Sequence, residues 1–340
     1  MKKTWTSVLP LLAIVAAVAL VFFGNVGNEK SIQLINVSYD ATRELFQSIN
    51  QQFALKYEQD TGQKLTVKQS HGGSSRQANA VVDGLEADVV SLALASDIDL
   101  LQKHGLVSSE WTERLPNHSH PYTSLIVFVV RKGNPKAIKD WPDLVRSDVA
   151  VITPNPKTSG NGKLSLLAAW GSILCRGGTE EQARDYLRRL YRNVPVLGTG
   201  ARDCTITFTQ DKIGDVHLTW ENEARFEIQN SQGELEIVYP PYTIRAESSV
   251  AWVDKNVERR KTERYAKAYL EFLFSRPAQE TMARYGYRPV DPDVLREYAG
   301  RFPAVQLFSI TLIAKDWDDA EQKFFADNGV FDLIYSPPAK

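Results

Sequence analysis

A chain of 340 residues is long enough for two lobes with sizeable cores. Its formal net charge is −1 with 24% charged residues, so there is no basic surplus of the kind that nucleic-acid binding needs. Any anion it binds must be held by local geometry, not by a global positive field.

Lys2 and Lys3 precede a nearly unbroken apolar run, Leu9 to Phe23. That run has the length of a signal-peptide core and is short for a spanning helix, which needs ~20 residues. Residues 1–30 are therefore read as an export signal, either cleaved or kept as an N-terminal anchor. No Cys follows the run, which excludes a lipoprotein anchor, and the rest is expected to be soluble and extracytoplasmic. Cys175 and Cys204 are the two cysteines; an oxidising compartment permits a bridge, but the favoured reading is two small, buried hydrophobes.

After the signal, strands and helices alternate. Ile32 to Ser38 predicts a strand, and a helix follows Asp40 with Phe46, Ile49, Phe53 and Tyr57 on one face and Asp40 as its N-cap. "KLTVKQ" and "DVVSLAL" predict two more strands, separated by the Gly/Ser turn and helix of "SHGGSSRQANAVVDG". "TSLIVFVVRKG" is a long apolar strand. A second set follows: strand "VAVIT", helix 162–175, a helix at "TEEQARDYLRRLYRN" whose Thr179 and Gln182 fit a capping box, strand "VPVLG", a helix after "GTGARD", and strands "DVHLTW" and "LEIVY". From about Lys261 the chain predicts helices, the last at "KDWDDAEQKFFADNG". The fold class is α/β in two lobes, each a mostly parallel sheet flanked by helices. Residues 31–120 with 247–340 form the first lobe and 121–246 the second. Ligands of such sheets sit where strands turn into helices, and two lobes can close on one like a hinge.

Four strand-to-helix turns share one chemistry: Asp40 in "VSYDATREL", Ser74 in "SHGGSSRQ", Ser159 to Asn161 in "TPNPKTSGNGK", and Gly200–Ala201 in "GTGARD". Each offers bare N–H groups at a helix start, a ready anion site. Helix capping alone explains any one of them; four together favour an anion. Nucleotide loops fail on detail, because Gly162–Lys163 is followed by Leu164 where a P-loop needs Ser or Thr. No G-x-S-x-G elbow supports a serine hydrolase, and the five scattered His do not suggest a metal.

These segments, with "LPNHSHPYTSLIVFVVRKGNPK", "DWPDL", "TWENEA" and "YRPVDPDV", closely resemble the bacterial periplasmic sulfate-binding proteins, receptors of ABC importers for sulfate and thiosulfate. The resemblance runs from about Ile32 to about Asp332. It implies a periplasmic-binding-protein fold with sulfate, or thiosulfate, in the interlobe cleft. It also implies a membrane permease as partner, a monomer in the periplasm, no enzymatic activity and no metal or cofactor. Asp40, Ser74, Gly160, Asn161 and Ala201 match donors of main-chain N–H groups, Ser159 a hydroxyl donor and Trp220 an indole donor. His71 and Arg202 are expected to brace these donors from behind. The sequence departs from the family at Asn161, where Gly is usual, and at Ser75 and Arg76, where Gly and Lys are. All seven groups only donate, which suits sulfate, fully ionised at neutral pH, better than phosphate, which keeps a proton. A carboxylate of Asp40 facing the anion would reverse that preference; turned onto backbone N–H groups it would not.

Overall fold

The computed structural model describes residues 32–335. The apolar N-terminal run and its expected cleavage or anchoring lie outside these residues. Strands β1 (Ile32–Tyr39), β2 (Leu65–Gly72) and β3 (Val89–Leu92) are parallel, with β1 in the middle. Between them and the second set runs β4 (Tyr122–Arg131). Strands β5 (Val151–Pro154), β6 (Leu197–Gly198) and β7 (Val216–Trp220) are again parallel, with β5 central. β8 (Leu235–Val238) pairs with β4, and β9 (Tyr242–Trp252) completes the connection. The resulting order is β2-β1-β3-β9-β4-β7-β5-β6.

The two long strands tie the halves together. β4 pairs through Tyr122–Leu125 with Arg245–Ser248 of β9, and through Ile126–Val130 with β7. β9 continues into the first half, where Ser249–Trp252 pairs with β3. A paired antiparallel crossing of this kind lets two lobes rock while both sheets stay intact. Leu125 to Val130 are each at most 1% exposed, which is why "LIVFVV" reads as an unbroken apolar run: a strand covered on both faces has no reason to alternate.

Helices α1 (Arg43–Thr61), α2 (Ser74–Val82), α3 (Ala95–Lys103), α4 (Gly160–Leu174), α5 (Glu180–Arg192), α6 (Ala201–Thr209), α7 (Glu221–Asn230), α8 (Glu263–Phe272) and α9 (Arg276–Arg284) cover the sheets. Phe46, Ile49 and Phe53 of α1 meet Tyr269, Leu270 and Met282 on one face of the first half; α2 and α3 seal the other. α4 and α5 cover one face of the second half, and Phe208 of α6 and Ala224 of α7 the other. The capping box at Thr179 forms as expected: Gln182 N donates to Thr179 Oγ1 at 3.2 Å and Thr179 N to Gln182 Oε1 at 2.8 Å.

Three features differ from the sequence reading. β9 was not expected, because "YTIRAESSVAW" mixes polar and apolar residues at a crossing strand whose two ends face different surroundings. "KDWDDAEQKFFADNG" is not one helix: a short turn at Trp317–Ala320 widens into a π-type turn at Glu321–Phe325, where Phe324 and Phe325 both enter the core. The third concerns residues 306–335, which the expected lobe division placed with the first lobe. They cover the second half instead. β11 (Gln306–Phe308; β10 is the short Arg288–Pro289 pair on β4) runs parallel to Tyr242–Ile244, and Phe324, Phe325, Val330, Phe331 and Ile334 join α4 and α5 in one core. The aromatic residues decide this: Phe324 meets Trp170 edge-on at 4.9 Å and Phe331 meets Tyr191 at 5.4 Å. Cys204 is buried, Cys175 half-buried, and the two are not bridged.

Candidate anion site at the converging helix starts

The four turns named in the sequence come together between the halves. A Cβ placed on Gly160 would lie 2.5 Å from Ala93 Cβ and 3.4 Å from Ser74 Cβ, so the start of α4 touches the start of α2. A Cβ on Gly73 would lie 2.4 Å from Thr158 O and 3.1 Å from Thr199 O, which brings the turn into α6 to the same place. A Cβ on Gly200 would fall 2.3 Å from Asp40 Oδ2. Glycine is favoured at these three positions by close approach, of backbone at Gly73 and of the Ala93 and Asp40 side chains at Gly160 and Gly200, not by backbone conformation. The rings of Tyr39 and Trp220 meet across the same seam at 5.7 Å.

None of these helices is capped by its own N-cap residue: α2, α4 and α6 follow Gly73, Ser159 and Gly200. Only Arg202 N, in the first turn of α6, meets a side chain, the Asp40 carboxylate of the facing half. The first intrahelical bonds are Gln77 N to Gly73 O, Lys163 N to Ser159 O and Cys204 N to Gly200 O. The N–H groups of Ser74, Gly160, Asn161 and Ala201 all precede those bonds, at the positive ends of their helices. Ser159 is 2% exposed, yet its hydroxyl does not cap α4. The Ser74 hydroxyl is spent elsewhere: it donates to Asp97 Oδ2 at 2.5 Å and accepts from Ala93 N at 2.9 Å, leaving Ser74 its N–H.

Asp40 is not the N-cap of a regular helix. It opens a 3-10 turn, Asp40–Thr42, and α1 begins only at Arg43. Its Oδ1 accepts from Ala41 N at 3.1 Å, and its Oδ2 accepts from Arg202 N at 3.3 Å on the facing half. Both oxygens therefore rest on backbone N–H groups, one of them the second residue of α6. Burial raises its carboxyl above the usual range, against the pull of Arg202.

His71 and Arg202 lie behind the turns. His71 Nδ1 contacts Ser38 Oγ at 2.8 Å and Nε2 contacts Gln69 Oε1 at 2.8 Å. Desolvation first, then the Arg43 charge, lowers its pKa to about 4, so the ring is neutral at pH 7. Arg202 forms a two-point ion pair with Glu44 across the halves, both contacts at 3.0 Å, and donates to Glu223 Oε1 at 3.1 Å. Burial, with Glu227 and Asp40 adding to it and Arg202 opposing it, raises the Glu223 carboxyl to about 8.

Three residues of this region escaped the sequence reading. Asp97, 3% exposed, accepts from Ser74 Oγ and, at 2.9 Å, from Ser75 Oγ, fixing the start of α2; burial raises its carboxyl. Lys163 approaches Asp97 at 3.9 Å from the other half and pairs with Glu321 at 2.6 Å. Glu321 also accepts from Ser96 Oγ at 2.8 Å. A signal for Lys163 was present, as the lone charge in the apolar stretch "NGKLSLLAAWG"; its partners lie too far along the chain to be paired by pattern. Among the described residues no cluster of His, Cys, Asp and Glu could hold a metal ion, and no helix is long and apolar enough to cross a membrane.

Residues 36–288 match the family of bacterial extracellular solute-binding proteins. The chain belongs to that family. It is 48% identical to the sulfate-binding protein of Escherichia coli over 307 residues, 90% of this chain and 93% of that one. It is 47% identical to the thiosulfate-binding protein of Pseudomonas aeruginosa over 306 residues, 89% and 92% of the two chains. The solved sulfate-binding protein of Mycobacterium tuberculosis superposes with a TM-score of 0.79 at 31% identity, covering 86% of this chain and 99% of that one. The architecture is thus that of the two-lobed solute receptors, as the sequence reading had it.

Proposed function

We propose that this protein captures sulfate between its lobes and delivers it to an ABC importer. It is a receptor, not an enzyme, and family membership implies a sulfate or thiosulfate ligand and transporter components as partners. The observation that carries the reading is the convergence of three helix starts that their own N-cap residues leave uncapped, with Asp40 taking only Arg202 N of α6. Uncapped N–H groups in a buried seam cost stability unless something accepts from them, and a dianion at the positive ends of α2, α4 and α6 is the acceptor they suit. In this reading Asp40, Ser74, Gly160, Asn161 and Ala201 give main-chain N–H groups, Ser159 its hydroxyl and Trp220 its indole N–H, with His71 and Arg202 bracing them. Seven bonds to a charged group at ~1.5–3 kcal/mol each give roughly 10–20 kcal/mol gross, and a micromolar constant needs only about −8 net. The remainder covers dehydration of the anion and closure of the lobes.

Asp40 fits sulfate over phosphate in this reading, because its carboxylate is turned onto the backbone N–H groups of Ala41 and Arg202, one on each oxygen, as a donor-only site requires. Thiosulfate is the second reading, supported by the thiosulfate-binding relative at 47% identity. The protein works as a monomer in the periplasm, either free after signal cleavage or held by residues 1–30. The lobes hinge at β4 and β9, with residues 306–335 travelling with the second.

The test is a calorimetric titration of residues 31–340, purified free of sulfate. Sulfate is expected to bind at micromolar affinity or better with little competition from phosphate at pH 7–8. Equal affinity for both anions would end the donor-only account. A thiosulfate constant well below the sulfate one would reassign the ligand.

A further inference from the structure

Asn161 is the binding-turn residue whose side chain lies against another expected donor. It is the second residue of α4 and 1% exposed. If its amide nitrogen faced Trp220, it would oppose two further donors, the backbone N and the indole Nε1. Turned over, its oxygen accepts from both at 3.3 Å, while its nitrogen donates to Leu218 O at 3.3 Å and Ser165 Oγ at 3.0 Å. Donor against donor is unfavourable, so the surrounding bonds choose the second orientation.

An indole has one N–H and no acceptor. An anion oxygen and Asn161 Oδ1 therefore compete for the same proton. We propose that Asn161 sets the affinity of the site: it is an internal acceptor that holds the Trp220 indole N–H and that an incoming anion must displace. The proposal rests on the reading of Trp220 as an anion donor. The amide need not turn when it is displaced. Its oxygen keeps the Trp220 backbone N at 3.3 Å, and its nitrogen keeps Leu218 O at 3.3 Å and Ser165 Oγ at 3.0 Å. The exchange thus leaves no buried amide atom stranded, which is the condition for it to be reversible.

The exchange sets a threshold. A ligand gains from Trp220 only to the extent that it is a better acceptor than an amide carbonyl. A dianion is, because a charged acceptor makes roughly twice the bond of a neutral one. A monoanion gains less. Asn161 accordingly lowers absolute affinity, by the same amount for every ligand that displaces it.

A double-mutant cycle with Asn161→Ala and Trp220→Phe tests this, using sulfate as titrant and the indole ¹H–¹⁵N resonance of Trp220 in sulfate-free protein as a second readout. Asn161→Ala is expected to bind sulfate about three- to tenfold more tightly, the worth of one neutral hydrogen bond. Trp220→Phe is expected to cost at least tenfold in the wild type and about three- to tenfold more than that in the Asn161→Ala background. The indole proton should move upfield in Asn161→Ala. Unchanged or weaker binding by Asn161→Ala, or an equal cost of Trp220→Phe in both backgrounds, overturns the competition. Failure of every variant, wild type included, to bind sulfate overturns the receptor reading itself and the displacement with it.

Discussion

Two helix starts on the same face of the second lobe show opposite solutions to one problem. α5 begins with Thr179, whose hydroxyl accepts from Gln182 N while Gln182 answers by accepting from Thr179 N. α4 begins with Ser159, as good a capping residue by type, whose hydroxyl leaves its own helix alone. The difference is not in the residue but in what it faces. Thr179 is exposed and has only its own helix to serve; Ser159 is buried, and the next residue, Gly160, faces Ser74 and Ala93 of the first lobe. A helix that caps itself is finished. One that does not is half of an interaction completed by the other lobe or by a ligand.

The most severe way to break the site side of this comparison is Gly160→Ala. Its Cβ would lie 2.5 Å from Ala93 Cβ, so the lobes cannot meet without displacement of β3 or α4. Loss of closure removes the donors of one wall, and at ~1.5–3 kcal/mol for each bond to charge the sulfate constant should weaken at least a hundredfold. The melting temperature of the ligand-free protein should hardly change, because each lobe keeps its own core. Calorimetry with a thermal melt measures both; wild-type affinity would show that the seam yields.

A finer break compares Ser159→Ala with Thr179→Ala. The first should weaken sulfate binding about tenfold with no loss of stability. The second should leave binding untouched and cost about 1 kcal/mol in urea unfolding. A Ser159→Ala protein that loses stability and keeps its affinity would make the two starts alike and remove the basis of the site.

The legibility of the sequence follows the same divide. Strand-to-helix turns are local, so Asp40, Ser74, Ser159 and Ala201 were readable from Gly, Ser and Asp at the ends of apolar runs. Their convergence was not local; it came from resemblance, and the close approaches at Gly73, Gly160 and Gly200 give its geometry. What stayed hidden depends on distant partners. Lys163, Asp97 and Glu321 meet from three separate segments. The strand Tyr242–Trp252 changes surroundings midway and so shows no single period. Residues 306–335 carry enough aromatic residues to attach to either lobe, and their ring contacts with Trp170 and Tyr191, distant in sequence, decide which.

The smallest effect belongs to His71, which should behave like Thr179 and unlike Ser159: a brace whose loss moves stability and not affinity. Its ring links Ser38, two residues before Asp40, to Gln69, and for Nε2 to donate to Gln69 the other nitrogen must accept from Ser38. Protonation would put a hydrogen on Nδ1 where that bond is accepted. The folded pKa is about 4, against about 6.5 in an unfolded chain. Between those values the unfolded state binds more protons than the folded one, so stability rises with pH across the window, is complete above about 6.5 and falls as pH drops toward 4. Burial raises the carboxyls of Asp40 and Asp97, which act in the opposite sense, so the comparison must be with His71→Gln, where those contributions are the same and cancel. The wild type should lose more stability than His71→Gln between pH 7.5 and pH 5 in urea unfolding, while the two proteins share one sulfate constant at pH 7.5. Parallel pH profiles would mean that the ring titrates freely, and a weakened constant would move His71 from the brace into the site.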